Sequence, residues 1–83
     1  MKDNFTTEIQ MLNKNRSCIF QLLSQDERPI YGVTFQVNKK DNLHCRLQKD
    51  NSGQYKFLAD AKIPEWVYNQ EMDFNDAIQD ANF

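Results

Sequence analysis

Five short stretches of alternating apolar and polar residues, each closed by turn-forming residues, restrict this chain more than any other feature. Phe5, Thr7, Ile9 and Met11 alternate with Thr6, Glu8 and Gln10. Cys18, Phe20 and Leu22 alternate with Ile19, Gln21 and Leu23. Tyr31, Val33, Phe35 and Val37 alternate with Gly32, Thr34 and Gln36, and Leu43, Cys45 and Leu47 with His44, Arg46 and Gln48. Tyr55, Phe57 and Ala59 form a shorter fifth set. A period of two is the pattern of a strand with one buried face. The interruptions are Asn13–Arg16, Gln25–Pro29, Asn38–Asn42 and Asp50–Gly53. These are residues that tolerate turn backbones or, in the case of Pro29, remove a ladder donor.

After Pro64 the period changes. Val67, Phe74, Ala77, Ile78 and Ala81 recur at helical spacing, and Trp66 adds apolar surface in the first turn. Pro64 suits a helix start, and Glu65 complements the positive end of the helix dipole. Asp73 is placed to cap a helix beginning at Phe74, so one bent helix or two short ones, divided near Asp73, both satisfy the pattern. The expectation is one α+β domain over residues 1–83: a five-stranded antiparallel meander with one face covered by the C-terminal helix. Eighty-three residues suffice for one core and not for two.

Short loops between successive strands set expected pairs. Ile9 falls opposite Phe20 and Met11 opposite Cys18. Phe20 falls opposite Val33, Cys18 opposite Phe35 and Leu23 opposite Ile30. Phe35 and Val37 fall opposite Cys45 and Leu43, and Cys45 and Leu47 opposite Phe57 and Tyr55. The parity of these pairs keeps every apolar set on one face, whereas a slip of one residue would send a set to the other face. Cys18 and Cys45 then lie two strands apart, about 9.6 Å, beyond the roughly 7 Å between Cα atoms that a disulfide spans. Two buried free thiols and a cytoplasmic protein are expected. The N-terminal Lys2-Asp3-Asn4 leads into an alternating stretch, so no targeting segment is expected, and no apolar run reaches the length of a membrane span.

The residues offer little to chemistry. His44 is the only histidine and is assigned to the outer sheet face, away from both cysteines. Asp73, Asp76 and Asp80 share a helix flank but lack the glycine-centred loop of a calcium site. The two glycines, Gly32 and Gly53, make no phosphate-cradling loop. No residue is put forward as catalytic, cofactor-binding or metal-ligating, and the chain is not expected to be an enzyme.

Binding surfaces are the remaining possibility. The outer face is polar except for Ile19, Leu23, Ile30 and Leu58, which mark a surface for a protein partner or a second copy of the chain. The acidic helix is the other candidate surface. Residues 63–83 hold five Asp and Glu and no Lys or Arg, while residues 1–62 hold all ten basic residues. Among those, Lys14, Arg16, Lys39 and Lys40 gather at one end of a meander and form a basic patch, the basis of an alternative reading as a weak single-stranded nucleic-acid binder. The strand–strand–strand–strand–helix order is similar to the repeat of Pur-alpha-type single-stranded nucleic-acid binders. That resemblance implies basic and aromatic residues on the open sheet face, where Gln and Thr mostly stand in this chain. The net charge of −2 lacks the cationic excess that general phosphate binding uses.

Overall fold

A computed structural model describes residues 1–59 and 62–83. Five strands follow one another in space as in sequence: β1 (Asn4–Met11), β2 (Lys14–Ser24), β3 (Ile30–Gln36), β4 (Asn42–Lys49) and β5 (Tyr55–Phe57). Every neighbouring pair is antiparallel. Two helices follow, α1 (Glu65–Tyr68) and α2 (Glu71–Ala81). The α+β meander with a helical cover read from the alternation is therefore the observed fold. The break between helices falls at Asn69–Gln70. Asp73 consequently sits inside the first turn of α2 and does not cap it.

Parity holds in all four hairpins, while the register differs in three. In β1–β2, Phe5 faces Phe20, Thr7 faces Cys18 and Ile9 faces Arg16. The turn is the two-residue Leu12–Asn13, with φ of 51° and 58°, the hand that matches strand twist in a tight hairpin. The polar run Lys14-Asn15-Arg16, expected as turn, instead continues β2. Arg16 explains why. Its side chain lies on the inner face, where its guanidinium donates to the carbonyls of Gln36 and Val37, both at 3.1 Å. It also lies 5.4 Å above the Trp66 ring, within cation–π range.

The β2–β3 register is as expected as far as Leu22 facing Tyr31, but Ser24 then faces Ile30. Leu23 is the extra residue of a β-bulge, so the expected Leu23–Ile30 pair does not form. Gly32 lies beneath the bulged residue: a Cβ placed there would stand 2.9 Å from Leu23 Cδ1, and the leucine side chain would have to turn aside. In β3–β4, Val33 faces Cys45 and Phe35 faces Leu43. The turn is centred one residue earlier than expected, at Lys39, where Asn38 Oδ1 accepts from the amides of Lys40 and Asp41, at 2.8 and 2.9 Å. In β4–β5, Leu47 faces Phe57. Asp50 Oδ1 accepts from Ser52 N and Gln54 N, at 2.9 and 3.0 Å, and closes a turn in which Gly53 has φ of 89°. Strand β5 ends at Phe57, and Ala59 lies beyond it in a turn.

The core lies between the inner sheet face and the helices. Phe20, Tyr31, Phe35, Leu47, Val67, Phe74 and Ile78 are buried there with both cysteines. Phe74 packs against Phe20, Phe35 and Phe57. Trp66 meets the edge of Phe35, and Tyr68, although partly exposed, meets the edge of Phe57. Among the described residues, one polar side chain, Asn75, is buried with them. Its Oδ1 accepts from Tyr55 N at 2.8 Å. Glu71 Oε2 accepts from Phe57 N at 2.9 Å, and Gln79 Nε2 donates to Gly53 O at 2.7 Å. Residues 71, 75 and 79 are one helical row, and the row fastens α2 to the backbone of the β5 hairpin.

Three expected outcomes follow from this packing. Asn75→Ala leaves the Tyr55 amide buried without an acceptor and should lower stability by about 1–3 kcal/mol, measured by urea unfolding. Leu12→Asn relieves a β-turn position that a leucine occupies at a steric cost and should raise stability by up to about 1 kcal/mol, read by the same method. Burial raises the Cys18 thiol from its ordinary 9.0 to about 11, an effect Arg16 partly offsets. Burial, with Cys18 adding to it, raises Cys45 to about 12. Both thiols are free. The folded state thus holds these protons more tightly than the unfolded chain. The associated stability is complete below pH 9 and is lost as pH rises from 9 through 11–12. Unfolding free energy measured across that range should decline, with a shallower decline in Cys45→Ala.

Candidate functional site

The outer sheet face carries a shallow depression whose floor is Gly32, the one position in its cross-strand row without a side chain. The row runs Asn4, Gln21, Gly32, Arg46 across four strands. The adjoining row runs Thr6, Ile19, Thr34, His44. Ile19 and Leu23 stand over the floor from β2, with Thr34 and His44 on the other side, enclosing about 330 Å³. Ile19 is 55% exposed and Leu23 50% exposed. The bulge lets Leu23 lean across Gly32 from the neighbouring strand.

The four residues marked from sequence do not form one patch. Ile19 and Leu23 share the depression. Ile30 is half-buried and borders a separate hollow with Ser24, Asp26, Arg28 and Gln48. Leu58 is half-buried, with its amide donating to Arg46 O at 2.9 Å. The signal that would have located the depression was Gly32, a glycine inside a strand, which often marks a bulge or a close approach.

His44 lies on this face, its Nδ1 2.8 Å from Thr34 Oγ1. The thiols of Cys18 and Cys45 are buried on the opposite face. Among the described residues, no three His, Cys, Asp or Glu side chains are grouped as a metal site would require, and no helix is long and apolar enough to cross a membrane.

The basic residues gather at one end of the sheet. Lys14, Arg16 and Lys39 border a hollow of about 490 Å³ together with Asn15 and Asn42. Lys40 is exposed on the same β3–β4 turn. The guanidinium of Arg16 is occupied by the carbonyls of Gln36 and Val37 and by Trp66. The cations that face outward are accordingly the lysines.

The acidic helix marked in the sequence forms one wall of a third surface, whose other wall, β1, comes from the opposite end of the chain. Along β1, an open groove of about 730 Å³ separates the strand from the flank of α2 that bears Asp73, Asp76 and Asp80. Glu8 and Leu12 border it from the strand side. Compared with known protein families, with characterised proteins and with solved structures, the chain finds no match.

Proposed function

We propose that this chain is a small non-catalytic interaction module that binds protein surfaces through the outer face of its sheet, with a second copy of itself as the first partner to test. The observation that carries the reading is the exposed pair Ile19 and Leu23 around the Gly32 depression. Its surroundings, Gln21, Thr34, His44 and Arg46, are polar. An apolar centre within a polar rim is the usual make-up of a protein interface. Five strands at about 4.8 Å spacing also give a face about 20 Å across, the scale of a modest protein contact.

Single-stranded nucleic-acid binding through the basic end is the second reading. The hollow bordered by Lys14 and Lys39 favours it. The internal engagement of Arg16 places it second, because arginine is the side chain best shaped for bidentate phosphate contacts.

The test is thermal unfolding over a range of protein concentrations. A dimer melts at a temperature that rises with concentration. Leu23→Glu should abolish that dependence while leaving the far-ultraviolet circular dichroism of the fold unchanged, since Leu23 lies outside the core. A melting temperature independent of concentration in the unmodified protein would remove self-association through this face. A Leu23→Glu chain that fails to fold would show that this face is part of the core.

A further inference from the structure

The two edges of the sheet are finished differently. At the β5 edge, the outward amides of Tyr55 and Phe57 are taken by Asn75 and Glu71 of α2. At the β1 edge nothing comparable happens. Leu22 N donates to Asp3 O at 2.7 Å. In the antiparallel ladder this assigns the odd-numbered residues of β1 to pairing with β2. The backbone N–H and C=O groups of Asn4, Thr6, Glu8 and Gln10 therefore point away from the sheet. Among the described residues none has a hydrogen-bond partner. The strand is eight residues long and contains no proline, lysine or bulge, so of the features that commonly blunt an edge it carries only charge, at Glu8.

Charge decides what such an edge accepts. Among the described residues, the groove beside it is bordered by Glu8, Asp73, Asp76 and Asp80 and by no Lys or Arg. Pairing two β1 edges would bring Glu8 of each copy and both aspartate flanks together, which like-charge repulsion opposes. A strand of opposite charge meets no such opposition. Asp73 and Asp80 are separated by about 10 Å along the helix axis, about the length of three extended residues. Cationic side chains at alternate positions, facing α2, recur about every 6.7 Å, so two of them fall within that span.

We infer that β1 accepts an extended peptide segment carrying Lys or Arg at alternate positions. The segment adds a sixth strand to the sheet through the backbone of Asn4, Thr6, Glu8 and Gln10, with its cations over Asp73, Asp76 and Asp80. Main-chain bonds supply the attachment and the alternate side chains supply the choice of sequence. This surface is separate from the outer face around Leu23, so the two readings stand or fall independently.

The test uses the full chain and a capped heptapeptide alternating threonine with lysine, Thr-Lys-Thr-Lys-Thr-Lys-Thr. Binding is followed by titration, and amide hydrogen exchange locates it. The expected result is slowed exchange at the amides of Thr6, Glu8 and Gln10. Affinity should fall by about tenfold or more when the peptide's edge-facing amides are N-methylated, which removes main-chain bonds and keeps the charge. It should fall similarly for D73N/D76N/D80N and for a peptide with glutamate in place of lysine. Should the triple variant not fold, the methylated and glutamate peptides still decide the matter. No binding at millimolar peptide, binding indifferent to N-methylation, or protection confined to the outer face around Ile19 and Leu23 would each overturn the proposal. Concentration-dependent protection of Thr6, Glu8 and Gln10 without peptide would overturn it as well, because a second copy would then hold the edge.

Discussion

The ring of Phe74 lies 6.1 Å from Phe20, 6.1 Å from Phe35 and 5.4 Å from Phe57. One side chain of α2 thus touches β2, β3 and β5, and the sheet and helix share a single core through it. Such a contact requires that Phe20, Phe35 and Phe57 all project from the same face. The period-two geometry of the strands secures this, since any one-residue slip would withdraw one of the three rings. The outer face can consequently be polar and open: the burial that a chain of this size needs is concentrated on the other side of the sheet.

The packing of α2 also settles the fate of the two sheet edges. With Phe74 and Ile78 turned into the core, the row Glu71, Asn75 and Gln79 falls beside the β5 hairpin and bonds to its backbone. The opposite flank, with Asp73, Asp76 and Asp80, falls beside β1. It places carboxylates near that edge and leaves the outward backbone groups of β1 unpaired. A helix whose two flanks differ in this way seals one edge and leaves the other as a charged groove. The contrast comes from side-chain length and chemistry as much as from the helix position: glutamate, asparagine and glutamine on one flank reach the backbone, while the aspartates on the other border an open space.

Local turn chemistry accounts for most of the difference between expected and observed register. Asn38 and Asp50 each accept backbone amides within their own turns, fixing loop lengths that residue type alone leaves open. At Leu12–Asn13 the discrepancy is larger, because a leucine at positive φ is an unusual turn residue and the polar run after it resembles a loop. Arg16 gives that run its strand conformation through contacts with the β3–β4 turn and Trp66. Those partners lie 20 to 50 residues further along, so a reading of the local stretch has no access to them.

Strand number, strand order, the face taken by the apolar side chains within the strands and the helical cover were all legible in the sequence. Each depends on hydrophobic periodicity, which is a local property with only two or three outcomes. The placement of Ile19 and Leu23 on the outer face was legible for the same reason. Their gathering around Gly32, apart from Ile30 and Leu58, was not: it depends on strand register and on the bulge at Leu23, which periodicity does not specify. The closed β5 edge, the open β1 edge and the internal use of Arg16 were decided only by tertiary structure. Each is a matter of which hydrogen-bonding groups find partners in three dimensions, and residues distant in sequence supply those partners.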